Sequence, residues 1–354
     1  MSFTETTFEY ERWLAGRVAI IQADLARKHE MMAAGESAFF RATFYRWAQQ
    51  WNGAPASLLK APRVLATGDL HVENFGTWRD AEGRLVWGVN DFDEAWPLPF
   101  TFDLVRLAAS ALIASEHGRG AILTGYRESL AAGGRPVVLE ERGLDLRRLA
   151  ADRLKNPGNF WRKLEAVKTW KRPVPAAAAR LLHDALPEGA KQLRIVHRVS
   201  GLGSLGRERY AMLAEWRGAM IAREVKALAP SAAAWARNPE ASAPAKTAEL
   251  LRRAVRCPDP FLRAADGWTV RRLSPSSSRI ELDDLPAEHD AGLLLYWMGW
   301  ETANIHLGSQ RAAVLANSLD ALGADWLDEA AHAMREAVTA DFQEWRKAAG
   351  KPPD

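Results

Sequence analysis

Two short stretches concentrate the residues able to do chemistry. The first, 67-TGDLHVENFG-76, places Asp69, His71, Glu73 and Asn74 close together between Gly68 and Gly76. The second, 90-NDFDEAWPLPFTFDL-104, adds Asp91, Asp93 and Asp103. Carboxylates brought together repel one another, and a hard divalent cation is the commonest reason for them to converge. In phosphoryl transfer a loop aspartate accepts the proton of the attacking hydroxyl, and an amide oxygen and a second aspartate ligate magnesium. On that pattern Asp69 is the base, and Asn74 and Asp91 hold the metal. Asp93 is a further ligand or a turn carboxylate. Taken singly, each of these residues is also a turn former or cap. The two loops occur together, each at the end of an apolar run, and that favours chemistry.

Strands must position these loops. The runs 62-PRVLATGDL-70 and 84-RLVWGVNDF-92 predict two strands of a hairpin, with 80-DAEG-83 as the turn. Upstream, Trp13, Val18, Ile21 and Leu25 recur at helical spacing and predict one amphipathic helix from about Phe8 to Glu30. A second helix is expected from Ser37 to Trp51, ending at Asn52-Gly53. Downstream, 103-DLVRLAASALIAS-115 and 119-RGAILTGYRESLAAG-133 read as helices. Asp103 caps the first of these or bonds the catalytic loop, with Arg106 one turn on as its partner. His71 reads as a packed neutral histidine, and 304-NIH-306 as packing. The segment from Val137 to Leu186 is mixed, and Ala291 to Lys347 is helical.

The second half carries 201-GLGSLG-206, a G-x-G-x-x-G. A dinucleotide fingerprint would open a helix after the glycines. Here both flanks, 193-LRIVHRVS-200 and RERYAMLAEW, are strand-like, so the glycines form a hairpin turn. Such a turn is either an ordinary connection or a loop whose backbone covers nucleotide phosphates. In the second case Gly201, Gly203 and Gly206 are cofactor-binding. Lys226, on the next strand 220-MIAREVKAL-228, is then the phosphate lysine. Glu249 is the first candidate for its acidic partner and Glu240 the second. Glu224 stands two residues before Lys226 on the same face, a charge that needs a cationic partner. A further strand pair, 261-FLRAADGWTVRRLSP-275, turns at Asp266-Gly267.

The loops 68-GDLHVEN-74, 91-DF-92 and 103-DL-104 resemble the catalytic and metal loops of the aminoglycoside-phosphotransferase branch of kinase-like proteins. More closely, the chain resembles a bacterial kinase-like family of unknown function. That family carries a Gly-Asp-x-His-x-Glu-Asn-Phe-Gly loop followed by Asn-Asp-Phe-Asp-Glu. The likeness is close from Arg63 to Ser110 and looser from Arg194 to Leu228 and from Gly267 to Leu282. It implies ATP and Mg²⁺ as cofactors and a two-lobed α+β fold. Thr67 departs from the phosphotransferase pattern, which has histidine there. The catalytic loop precedes the glycine turn, the reverse of ordinary kinases, so the expected fold is circularly permuted. The expected divisions are N-terminal helices (1–60), a catalytic and metal-binding half (61–190), a nucleotide-covering antiparallel sheet (191–285) and C-terminal helices (286–354).

Composition narrows the classes. The net charge of +3 in 354 residues comes from short, scattered basic runs such as 251-LRRAVR-256, not from a clustered nucleic-acid footprint. Cys257 is the single cysteine, which excludes an internal disulfide and a multi-cysteine zinc site. The acidic N-terminus lacks a signal-peptide pattern, and 291-AGLLLYWMGW-300 is too short to span a bilayer, so a cytoplasmic location is expected. Three activities stay open. One is phosphate transfer from ATP to a hydroxyl of a small molecule or protein. The others are nucleotide binding without transfer, as in a pseudokinase regulator, and AMP transfer.

Overall fold

The computed structural model describes residues 1–114, 120–141, 143–151, 154–280, 282, 285 and 288–349. It is an α+β protein of fifteen helices and three antiparallel sheets among those residues. The helix ends expected at Ser115 and Arg119 lie outside the described residues.

The amphipathic N-terminal stretch forms two helices, α1 (Phe3–Ala15) and α2 (Gln22–Ala34), instead of one. Ser2 caps α1 with Glu5 in a capping box. The chain breaks after Gly16 because residues 20–21 leave the helix to pair with the glycine turn: Ile20 bridges Arg207, and Ile21 N donates to Gly206 O at 2.7 Å. The next expected helix is also divided, into α3 (Glu36–Ala42) and α4 (Phe44–Gln50), where Thr43 adopts φ −118° and its hydroxyl donates to Phe39 O. A short α5 (Ala56–Leu59) follows.

The strands around the carboxylate loops pair differently from the expected hairpin. β1 (Arg63–Ala66) does not pair with β3 (Leu85–Val89). Instead β2 (Phe75–Arg79) and β3 form the hairpin, and β1 pairs with β4 (Trp96–Pro99). The strand that follows the loop, and not the one that leads into it, is the hairpin partner of β3. The backbone turns at Gly68 (φ +83°), which frees the following residues to form the loop.

α6 (Phe100–Ala114) is buried on every face from Phe100 to Leu112. α7 (Gly120–Ala131) and β5 (Val137–Val138) follow, β5 adding a third strand beside β3. The mixed region then gives α8 (Leu144–Ala151), α9 (Pro157–Glu165) and α10 (Ala176–Asp184). β6 (Lys191–His197), β7 (Arg209–Trp216) and β8 (Ala219–Ala227) form the expected meander, joined through the glycine turn and the Arg217-Gly218 turn. Two helices, α11 (Ala232–Arg237) and α12 (Thr247–Arg253), precede β9 (Arg263–Ala265) and β10 (Trp268–Leu273). β10 pairs with β8, giving a five-stranded sheet in the order β6-β7-β8-β10-β9. One face packs Tyr210, Val225 and Val270 on Leu181 and Leu182 of α10. The other face, bearing Arg209, Glu224, Lys226 and Arg271, turns toward the carboxylate loops.

The tail is helical as expected: α13 (Glu288–Leu307), α14 (Ala312–Asp320) and α15 (Trp326–Ala349). α13 crosses α7 at backbone contact. A Cβ on Gly125 would stand 1.9 Å from Tyr296 O, and one on Gly299 2.0 Å from Ile122 O. Among the described residues no helix is long and apolar enough to cross a membrane.

Candidate active site

One stripe of α6 holds the first carboxylate loop. Asp103, Arg106 and Ser110 fall at spacings of three and four, on one helical face. Asp103 accepts from the backbone N–H of Thr67 (2.7 Å) and of Gly68 (3.0 Å). Ser110 Oγ accepts from Val72 N at 3.1 Å. Arg106 donates through Nε to Asp69 Oδ1 at 2.9 Å and through Nη2 to the same oxygen. Asp103 therefore bonds the loop, as one reading of the sequence had it, but Arg106 pairs with Asp69 and not with Asp103. The expected packing role of 304-NIH-306 also needs correcting. His306 Nε2 lies 3.1 Å from Asp103 Oδ2, and its Nδ1 2.9 Å from the Tyr126 hydroxyl, so α13 braces the aspartate that braces the loop.

Asp69 is thus anchored through one oxygen. Burial raises its carboxyl above the ordinary range, against the pull of Arg106. His71 is buried, and burial followed by the charges of Arg41 and Arg106 holds its pKa well below the ordinary value. Its Nδ1 accepts from Glu73 N at 3.2 Å, so the neutral ring carries its proton on Nε2. That is the packed neutral histidine read from the sequence. Asn74 donates its amide N–H to Asp69 O, and among the described residues its Oδ1 has no protein donor.

The second loop meets the lysine strand. Lys226 Nζ lies 2.9 and 3.1 Å from the two oxygens of Asp91 and 2.6 Å from Asp93 Oδ2. Enclosure would raise the Asp91 carboxyl, but Lys226, then Arg271 and Arg209, hold it far below the usual range. Asp93 moves the other way, raised by burial and by the charge of Asp91. Next in the loop, Glu94 accepts from Arg207 Nη2 (3.1 Å) and Ala232 N (2.7 Å), yet burial pushes it up to about 7.

Glu249, the first sequence candidate for the partner of Lys226, lies elsewhere. It makes an i,i+4 pair with Arg253 on α12 at 2.9 Å, and Glu240 is exposed. The lysine finds its carboxylates in the second loop, Asp91 and Asp93, because β8 delivers it there. Glu224, the misplaced-looking charge, is fully buried within three arginines: Arg198, Arg209 (3.0 Å) and Arg271 (2.8 Å). The register explains this, since Arg271 on β10 directly opposes Glu224, and Arg209 on β7 opposes Lys226. Burial works against its ionisation, but Arg271, Arg198 and Arg209 hold the carboxyl well below its usual pKa.

The glycine turn closes over the first loop. A Cβ on Gly203 would lie 2.9 Å from Arg41 O and 3.5 Å from Asp69 Oδ2. Gly201 and Gly206 take φ values of +77° and +97°, in the left-handed region that glycine supplies. The cleft beneath has two compartments that share Gly201, Arg41 and Arg279. One contains Asp69, Asn74 and Asp91, walled by Tyr10, Lys28 and Tyr45 of the N-terminal helices. The other lies toward Ser274–Ser278 and is strongly basic, with Lys155, Arg198, Arg256 and Arg271 beside Trp78 and Phe160. Burial and then Arg279, Arg198 and Arg271 lower Lys155 to about 8.

Among the described residues no group of three or more His, Cys, Asp or Glu side chains is arranged to hold a metal ion. Magnesium asks for less. It is usually held by one or two carboxylates, with phosphate and water oxygens completing the shell. Asp91 is 36% exposed toward the cleft and Asn74 Oδ1 is uncommitted, so the donor set fits such an ion.

The structure therefore brings Asp69, Asn74, Asp91, Asp93, Gly201, Gly203 and Lys226 around one cleft. Gly206 sits at its edge against Leu25, and Glu249 is outside it. Sequence reasoning missed Arg106 as the partner of Asp69, and it missed Lys28 and Arg207. The polar stripe 103, 106, 110 in an otherwise apolar helix was a readable signal for the first. Nothing local marked the other two. No curated protein and no solved structure matches the chain. Residues 20–121 and 162–348 match the family described as "uncharacterized protein conserved in bacteria" (DUF2252). With most of its length matched, the chain belongs to that bacterial family.

Proposed function

We propose that the protein is an ATP- and magnesium-dependent phosphotransferase with a circularly permuted kinase-like arrangement. One observation carries this reading. The glycine turn and the lysine strand, distant in sequence, converge on the two carboxylate loops, with Gly203 over Asp69 and Lys226 on Asp91.

The compartments divide the labour. The basic one, between the five-stranded sheet and Trp78, suits the nucleotide, and Gly201 lies where its phosphates would cross toward Asp91. Lys226 neutralises phosphate charge, and Arg271 and Arg198 add to the positive field. Asp91 and Asn74 are the residues to hold magnesium, which when bound supplies further charge neutralisation on the transferred phosphoryl group. Asp69, tied to Arg106 through Oδ1, presents Oδ2 toward the cleft. It orients an acceptor hydroxyl there and takes its proton.

A second reading, nucleotide binding without transfer, draws on the same Arg106 pair, which commits one oxygen of Asp69. Calorimetry with magnesium and a non-hydrolysable ATP analogue tests the shared premise, and absence of binding would sink both. Mass spectrometry of the products then separates a gain of one phosphate from a gain of one nucleotide or no change. Only the first supports the proposal.

A further inference from the structure

Lys28 projects from α2 into the compartment that contains Asp69. It is 3% exposed, and among the described residues its Nζ has no hydrogen-bond or ion-pair partner. Its Nζ stands 5.8 Å from the centroid of the Tyr45 ring, and Tyr45 is stacked on Tyr10 at 4.3 Å. An unpaired ammonium in such a place is costly. Burial lowers its pKa to about 8, which leaves it mostly charged at neutral pH.

The carboxylates facing Lys28 are already engaged. Glu11 on α1 holds His29 at 2.7 Å, Glu94 holds Arg207 and Ala232 N, and Asp69 holds Arg106. Among the other cations lining this compartment, Arg207 leaves Nε and Nη1 without hydrogen-bond partners among the described residues, Nη1 standing 3.7 Å from Asp93 Oδ2. The wall beside the glycine turn thus holds spare cationic donors and two stacked phenols. The compartment is small, about 60 Å³, so a ligand seated there beside Asp69 must itself be small.

We infer that this wall is the acceptor subsite and that it selects a small hydroxylated anion, seating a phosphate or carboxylate group on Lys28 while the hydroxyl faces Asp69. The inference rests on the phosphotransferase reading. A neutral polyol would leave the buried ammonium unpaired, whereas an anion satisfies it and fixes the hydroxyl's distance from the base. Lys28 is a positioning residue in this scheme. The proton goes from the acceptor hydroxyl to Asp69, and the acceptor oxygen forms the new bond to phosphorus as the bond to the nucleotide's leaving oxygen breaks.

The test uses the full chain with carbon-13-labelled lysine, in the absence of magnesium. Inorganic phosphate and, separately, malonate are titrated in while the lysine resonances are followed. The expected result is a shift at Lys28 with one or both anions and a rise in its pKa. Lys28→Met should weaken that binding about tenfold or more, and the surface control Lys168→Met should leave it unchanged. Phosphate alone or malonate alone would name the acceptor's anionic group. No shift at Lys28, or equal affinity in Lys28→Met, overturns the inference. So does a tenfold loss of affinity for magnesium and the ATP analogue in Lys28→Met, which would assign Lys28 to the nucleotide. Anion binding at Lys28 in a protein that binds no nucleotide would sink the phosphotransferase reading and leave only the anion site.

Discussion

Arg106 lies beneath Asp69 with its Nε 2.9 Å from Oδ1, and its guanidinium is fully buried against Phe40, Phe44 and Trp47. Among the described residues its one further acceptor is Phe40 O at 3.2 Å. The pair therefore fixes both the charge and the direction of the proposed base. Asp69→Asn keeps the shape and the hydrogen-bonding oxygen but removes the proton acceptor. We expect turnover to fall about 10²–10⁴-fold with affinity for the ATP analogue little changed. Single-turnover kinetics beside calorimetry checks this, and wild-type turnover would remove Asp69 from the chemistry.

The same relationship predicts a strong effect on stability. Arg106→Met strands a carboxylate already raised by burial, and one-sided removal of a buried pair costs about 3–5 kcal/mol. Adding Asp69→Asn to that background should recover a large part of the loss, because the stranded charge goes. Urea denaturation of the two singles and the double measures the coupling. Additive losses would mean that the pair contributes nothing of its own.

Lys226 is the cation that lets Asp91 and Asp93 lie side by side. In Lys226→Met the two carboxylates lose the cation they share, and their mutual repulsion raises their folded pKa values. Stability relative to wild type then falls as pH rises past about 4, where carboxylates ionise, and the difference fades at lower pH. Magnesium should stabilise this variant more than the wild type, since the freed oxygens can take the ion. Thermal melts at pH 4 and pH 8, with and without magnesium, provide the comparison. Equal magnesium effects in the two proteins would argue against a metal at Asp91.

What the sequence revealed and what it hid differ by range. The two carboxylate loops, the glycine turn and the meander ending at Lys226 were legible because each is local, a turn or an alternation within a few residues. The same holds for the Asp266-Gly267 hairpin. Pairing across the chain was not legible. β1 takes β4 as its partner because Gly68 turns the chain away from the hairpin, and no pattern in 62-PRVLATGDL-70 shows which strand it will pair with. Glu224 was legible only as a charge in need of a cationic partner. Its three arginines come from different strands or loops, and only the register of β7 and β10 puts them there. Glu249, on the helix after the lysine strand, was the first candidate partner of Lys226, and the sequence distance to the second loop hid Asp91 and Asp93. Lys28 had no signal beyond a helical lysine, and only the fold buries it.

The cage around Glu224 makes a pH prediction. Its folded pKa is depressed by Arg271, Arg198 and Arg209, so it contributes stability above the unfolded value, near 4.3, and loses it as pH falls through the folded one. Glu224→Gln leaves Arg209 buried without a counter-charge, while Arg198 and Arg271 keep some solvent. We expect a loss of about 3 kcal/mol at pH 7, narrowing steadily on acidification below about pH 4. Chemical denaturation across pH 2.5 to 7 records it. A constant difference over that range would show that Glu224 acts by packing alone.

Gly203 separates a positional role from a structural one. An added methyl would press on Arg41 O at 2.9 Å and approach Asp69 Oδ2 at 3.5 Å, so the turn must lift by a few tenths of an ångström. The backbone there is not in the left-handed region, so alanine adds no conformational strain. Stability should change by about 1 kcal/mol or less. Turnover should fall much further, because small displacements at a reacting centre can cost about 10²-fold. The loss should appear in kcat with the proposed acceptor saturating, since the turn is lifted from the base and the phosphates together. Gly218→Ala, in the open Arg217-Gly218 turn where nothing stands within 4 Å of a new Cβ, is the control. Its φ of +78° makes that substitution strained, so it should lower stability and spare turnover. If Gly203→Ala turned over like the wild type, the glycine turn would be an ordinary hairpin connection and not a cover for phosphates.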